Sequence, residues 1–289
     1  MKILAILSVF AWVTALSATQ AKAPAMWRVA DADSEFWLFG TVHLLPPNVS
    51  WRSATFERAF AAADTVYLEI DPHARPKGGM QRLLLQLGHN GNFVTLSSLL
   101  DARDTERLAR AAAKLGIPPS SLEPLRPWLA SVRLSLTHIA ARGYDPLSGV
   151  DTIIAEMAAA ARKRLGYFET LAQQFRIFAS LSPRAEKAFL MATIEQVESD
   201  PDGIDRLVRV WAAGDTKSFD RLLEESTGGE LPEVREALFD ARNRRWTKRI
   251  VEAMAGAGKA LVAVGAGHLT GPKGIVALLR DEGFVVTRQ

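Results

Sequence analysis

One short pattern occurs twice, near opposite ends of the chain. Gly40-Thr41-Val42-His43-Leu44-Leu45-Pro46-Pro47 and Gly265-Ala266-Gly267-His268-Leu269-Thr270-Gly271-Pro272 both read G-x-x-H-L-x-x-P. Each copy follows an apolar run, Phe36-Trp37-Leu38-Phe39 in the first and Ala260-Leu261-Val262-Ala263-Val264 in the second, and each leads into a helix-like stretch. A strand, a glycine turn and a helix start form the place where open α/β sheets present functional side chains, at the carboxyl ends of strands. The repeat therefore argues for two equivalent strand ends and a paired site.

The surrounding pattern supports an α/β fold. Trp27 to Val29 and Glu35 to Phe39, separated by Asp31-Ala32-Asp33-Ser34, read as a hairpin. Arg52 to Ala63 reads as a helix and Thr65 to Ile70 as a β-rich strand broken by Asp71-Pro72, a strand-helix-strand unit that favours parallel pairing. From about Met80 to Met254 the periodicity is mainly helical, with Leu165 to Phe168 the one strand-like stretch. A single helix is expected from Pro232 to Met254. Lys259 to Val264, Pro272 to Asp281 and Phe284 to Thr287 return to strand, helix and strand. The expectation is a mixed, mainly parallel sheet built by the N- and C-terminal segments. One domain would span 22–289, carrying a large helical insertion at about 80–254.

Composition narrows the function classes. Hydrophobic content of 48% and charged content of 23% are those of a globular protein. The net charge is +3, and the densest basic cluster is Arg242, Arg244 and Arg245, too short to imply nucleic-acid binding. Lys2, the apolar Ile3 to Leu16 and small residues around Thr19-Gln20-Ala21 predict a cleaved secretory signal, residues 1–21. The mature chain is then expected in the periplasm or outside the cell, with no stable membrane span. There is no cysteine, so neither a disulfide nor a lipid anchor on cysteine is available.

His43 and His268 are two of only five histidines. Imidazole is the commonest protein ligand for divalent metals and titrates near neutrality. Glu69 interrupts the apolar strand Tyr67-Leu68-Glu69-Ile70, where a carboxylate is costly to bury unless paired or metal-bound, although strand alternation could turn it to solvent. Glu169 repeats the situation after Leu165-Gly166-Tyr167-Phe168. Two histidines with one or two carboxylates compose a hydrolytic metal site. There is no HExxH, Walker loop, GxGxxG or GxSxG motif. His73, His89 and His138 have no repeat partner.

Taken together, these residues resemble the TraB/GumN family, to which the animal Tiki proteins are related. The resemblance rests on Trp37 to His43, Ala62 to Glu69, Gly149-Val150-Asp151, Phe168-Glu169-Thr170 with Gln173, Trp211 to Asp215, Arg242-Asn243 with Trp246, and Val264 to Pro272. It implies a fold similar to the erythromycin esterase and ChaN-like group, and divalent-metal-dependent peptidase activity. The implied metal ligands are His43, His268 and Glu69, with manganese, cobalt or zinc as the ion. Glu69, Glu169 and Arg242 are the implied catalytic groups, Arg242 orienting a carboxylate or stabilising an oxyanion. The expected partner is a peptide or other small extracytoplasmic substrate. The competing reading is a non-catalytic protein that sequesters a peptide or a haem-like ligand, since haem iron uses the same imidazoles.

Overall fold

The computed structural model describes residues 23–289 apart from 47–48, 77 and 227–230, so the expected signal at 1–21 and Pro47 of the first repeat lie outside the described residues. The chain opens with the hairpin. Strands β1 (Met26–Ala30) and β2 (Ser34–Thr41) pair antiparallel, and Asp31 closes the turn by accepting from the Ser34 backbone N and hydroxyl, both at 2.8 Å. Helix α1 (Ala54–Ala62) starts where the Ser53 hydroxyl accepts from the Phe56 N–H, and β3 (Thr65–Leu68) follows. The middle of the chain forms α2 (Gly79–Gly88), α3 (Ala102–Lys114), α4 (Pro127–Ala140), α5 (Val150–Ala160), strand β4 (Arg164–Tyr167), α6 (Leu171–Ala179), α7 (Pro183–Ser199), α8 (Gly203–Ala212), α9 (Thr216–Ser226), α10 (Pro232–Arg235) and α11 (Ala241–Met254). Strand β5 (Gly258–Gly265), α12 (Ile275–Asp281) and β6 (Val286–Arg288) complete it.

The fold is α/β, with a six-stranded, mostly parallel sheet in the order β4-β3-β5-β2-β1-β6. Strands β2, β5, β3 and β4 run parallel, and β1 is antiparallel to both of its neighbours. Strand β5 is buried from Ala260 to Val264, which is why it reads as a continuous apolar run. Its alternate residues feed two cores. Leu261 and Ala263 pack with Phe39, Phe56, Val66 and Ile154 under α1 and α5. Ala260, Val262 and Val264 pack with Leu38, Trp246, Ile250 and Leu279 under α11 and α12. A third core, including Leu108, Trp128, Leu134 and Ile194, joins α3, α4 and α7 away from the sheet.

The expected mixed, mainly parallel sheet is present, with five of its six strands from the chain ends and edge strand β4 from the strand-like stretch expected near Leu165 to Phe168. Three expectations need correction. The β2-α1-β3 unit is parallel, but its strands do not pair with each other: β5 from the C-terminal segment lies between them. The expected strand through Ile70 stops at Leu68, which leaves Glu69 just beyond its end. The helix expected from Pro232 to Met254 is divided by a π turn at Glu236–Asp240. Among the described residues, no helix is long and apolar enough to cross a membrane.

Candidate functional site

Register brings the repeat together. Gly40 lies opposite Val264 and Thr41 opposite Gly265, so both glycine turns leave adjacent parallel strands at the same edge. Strand β3 ends beside them, Leu68 level with Ala263, and the Glu169 N–H donates to the Glu69 carbonyl at 2.8 Å. Four of the expected residues thus leave one sheet edge, and Arg242 reaches them from α11. Gly40 must be small: a Cβ there would lie 3.0 Å from both Cα and Cβ of Ala266. A Cβ on Gly265 would meet Glu69 Oε1 at 3.0 Å, and His43 Nε2 and the His268 ring at 3.6 Å each. Both imidazoles and the carboxylate therefore surround one point above that glycine.

The two histidines sit in opposite environments. His43 lies two residues past β2, its side chain 55% exposed, and its Nδ1 is 3.0 Å from Asp151 Oδ1 in the first turn of α5. The Val150 N–H donates to the Val42 carbonyl at 3.0 Å and ties that helix start to the histidine segment. A carboxylate only accepts at neutral pH, so Nδ1 is the donor and Nε2 is left for the cleft. Asp151 raises the His43 pKa, to about 9, and the half-open ring lets solvent screen that attraction.

His268 is buried between Phe239 and Trp246, with ring centroids 5.2 and 4.4 Å away. The Asn243 amide nitrogen donates to the Lys273 carbonyl at 2.9 Å, so its oxygen faces His268 Nδ1 at 2.6 Å and accepts from it. Nε2 then carries the lone pair and accepts from Arg242 Nη1 at 3.1 Å. This is a neutral imidazole of fixed tautomer. Burial first, then the Arg242 and His43 charges, push its pKa down to about 3 against the pull of Glu69.

Arg242 knits the floor of the site. Its Nε faces both Glu169 oxygens at 3.1 and 3.2 Å, Nη1 donates to the Leu238 carbonyl of the π turn at 2.9 Å, and Nη2 donates to Glu69 Oε2 at 2.7 Å. The guanidinium lies over the Trp246 ring, 4.5 Å from its centroid. Glu69 is held at both oxygens in turn: Oε1 accepts from the Gly265 N–H at 2.7 Å, and Oε2 also accepts from Gln174 Nε2 at 3.0 Å. Burial opposes ionisation of Glu69, but His268, His43, Arg242 and the Gly265 N–H outweigh it and bring the pKa to about 2. With His268 itself uncharged at neutral pH, the attraction that counts there comes from Arg242, His43 and the backbone.

These partners bear on the roles expected of three residues. Arg242 has no nitrogen free for a substrate carboxylate or an oxyanion, because all three are engaged by protein acceptors. Glu69 is a poor base with both oxygens committed to N–H donors. Glu169 accepts from Arg242 and from Arg245 Nη2 at 3.1 Å, behind the floor. The donor types fit a divalent metal, and each Nδ1 is anchored as metal-bound imidazoles are. The arrangement does not fit one, because a guanidinium N–H occupies the His268 lone pair that a shared ion needs. Among the described residues, no group of three or more His, Cys, Asp or Glu is disposed to hold a metal ion.

Above this floor lies a cleft of about 400 Å³, walled by Ile177 and Phe178 of α6, Ile204 and Leu207 of α8, Leu223 of α9 and Phe239 of the π turn. Its size falls within the ~300–1,000 Å³ of small-molecule sites. Asp151 and Gln174 were not singled out as site residues from the sequence. Asp151 stands 108 positions from His43, and no spacing rule connects them. Gln173, one position earlier, completes a capping box with Thr170 and starts α6, so it is Gln174 that reaches Glu69.

The sequence profile of the TraB/PrgY/gumN family matches residues 25–288. The chain belongs to that family. The match takes in both repeat copies, Glu69, Asp151, Glu169 and Arg242, so the cleft is built wholly from family sequence. No curated protein and no solved structure matches the chain.

Proposed function

We propose that this TraB/PrgY/gumN member is an extracytoplasmic hydrolase of peptides in which His43 moves the proton. The observation that supports this most is the contrast between the two histidines. One is half-exposed, anchored at Nδ1 by Asp151 and turned to the cleft through Nε2; the other is buried and neutral. A pair of titratable groups pushed apart in pKa marks which one does acid–base work. In this reading the unprotonated form of His43, the minor one at neutral pH because Asp151 raises its pKa, takes a proton at Nε2 from a water whose oxygen attacks the peptide carbonyl. The same proton then passes to the departing amide nitrogen as the C–N bond breaks. Glu69, Arg242 and His268 form the fixed floor that holds the cleft open beneath the substrate.

The apolar walls suit the side chains flanking a scissile bond, while the polar floor suits its carbonyl and amide. A peptide-library digestion with wild-type protein and His43→Ala tests the proposal. Cleavage by wild type that falls by roughly 10²–10⁴-fold in His43→Ala is expected for loss of a general base. If the two proteins cleave alike, the role given to His43 fails; if neither cleaves while both bind peptide, the hydrolase reading fails and sequestration replaces it.

A further inference from the structure

We infer that Arg242 occupies the place of a metal ion in this site, so that the centre works without one. Three contacts carry the inference. Nη1 donates to His268 Nε2 at 3.1 Å, Nη2 donates to Glu69 Oε2 at 2.7 Å, and Nε faces the Glu169 carboxylate at 3.1 and 3.2 Å. Two carboxylates and an imidazole lone pair converging on one buried cation are what a divalent site would present. Here the cation is a guanidinium.

The geometry makes the two cations alternatives. An ion bonded to His268 would sit about 2.0–2.1 Å from Nε2, along a lone pair that already faces an N–H. It would also stand beside a guanidinium that cannot lose its charge. Nor can the arginine easily swing aside, because it is buried, stacked on Trp246 at 4.5 Å and tied to the Leu238 carbonyl of the π turn at 2.9 Å. Asn243, next in the chain, holds the other face of the same imidazole at 2.6 Å. Adjacent residues on α11 thus fix both nitrogens of His268. This rests on the hydrolase reading only in naming the work for which no metal is needed, since the occupancy itself is a property of the folded protein.

Binding is measured directly, so the outcome does not depend on finding a substrate. Protein purified without a metal-affinity step is titrated calorimetrically with Mn²⁺, Co²⁺ and Zn²⁺ in turn, and Co²⁺ is followed by its visible spectrum. Wild type is expected to show no saturable one-to-one binding and no protein-ligated Co²⁺ bands. Arg242→Ser, which uncovers His268 Nε2 and Glu69, is expected to gain one equivalent of Zn²⁺ that is lost again in Arg242→Ser/His268→Ala. One-to-one binding by wild type that disappears in His268→Ala overturns the inference, as does a folded Arg242→Ser protein that binds none of the ions. Should Arg242→Ser not fold, the wild-type titration decides alone. Absence of peptide cleavage would strike the hydrolase reading and leave this result standing.

Discussion

Acid is expected to destabilise this protein through His268. The folded imidazole has its pKa pushed down to about 3 by burial, whereas in the unfolded chain it returns to an ordinary 6.5. Between those values the unfolded state holds one more proton than the folded one, so stability is full above pH 6.5 and falls as pH falls. Each pH unit inside the window removes about 1.4 kcal/mol. Integrated from pH 6 to pH 4, the loss is about 2–3 kcal/mol, or roughly 5–10 °C in Tm for a chain of this length. His43 does not confuse the comparison. Its pKa is raised in the folded state, so below pH 6.5 it is increasingly protonated in both states and its contribution levels off. Glu69, held at about 2 in the fold, adds a further loss only below its ordinary 4.5. The assay is urea denaturation of wild type and His268→Gln in one buffer series from pH 7 to pH 4. Carboxylates away from His268 titrate alike in both proteins, and Glu69, which His268 influences, stays ionised above its ordinary 4.5, so the difference in slope above that pH isolates His268. The variant should be less stable at pH 7 yet flatter with pH, by about one proton. Parallel curves would show that the folded imidazole takes up its proton normally, and the assignment of a neutral His268 would be wrong.

Two further substitutions follow from the same geometry. Asp151→Asn keeps a hydrogen-bond acceptor beside His43 Nδ1 but removes the charge, so the midpoint of His43 protonation should fall toward 6.5 and any activity that needs the free base should appear at lower pH; an unchanged midpoint in a ¹⁵N histidine titration would refute the link. Gly40→Ala places a methyl 3.0 Å from Cα and Cβ of Ala266, which a flexible side chain could relieve but a backbone cannot, and a loss of about 1–3 kcal/mol is expected in urea denaturation, against none if the β2 edge has room.

Much of this was readable from local pattern, and the reasons are physical. A strand buried on both faces must be apolar throughout, so Ala260 to Val264 declared itself, and a carboxylate at the end of Thr65 to Leu68 stood out against the same background. The repeated Gly-x-x-His gave two strand ends without any structure. Strand order was not readable, because nothing near Thr65 records that β5, almost two hundred residues later in the chain, will lie beside it. The π turn was hidden for a related reason: Pro232 to Met254 has helical composition throughout, and the wider turn at Glu236–Asp240 places Leu238 and Phe239 against Arg242 and His268 through packing rather than propensity. Arg242 was legible as a functional arginine only through the family resemblance, and its saturation by Glu69, Glu169, Leu238 and His268 is a tertiary fact with no trace in spacing.

The repeat also shows why identical motifs need not do identical chemistry. The two copies are displaced by one position, since Gly40 faces Val264 while Gly265 faces Thr41. From that edge the chain after Gly40 runs outward under the start of α5, where the acceptor waiting for Nδ1 is an aspartate and the ring stays half open to solvent. The chain after Gly265 turns inward through Ala266–His268, where the acceptor is a neutral amide and the ring is enclosed by Phe239 and Trp246. An imidazole can exchange protons with a substrate only if its charged form is affordable and its free nitrogen can be reached. His268 fails on both counts, because burial penalises the imidazolium and Arg242 covers Nε2. His43 meets both. The second copy of the motif contacts Arg242, which in turn holds Glu69 beside the cleft.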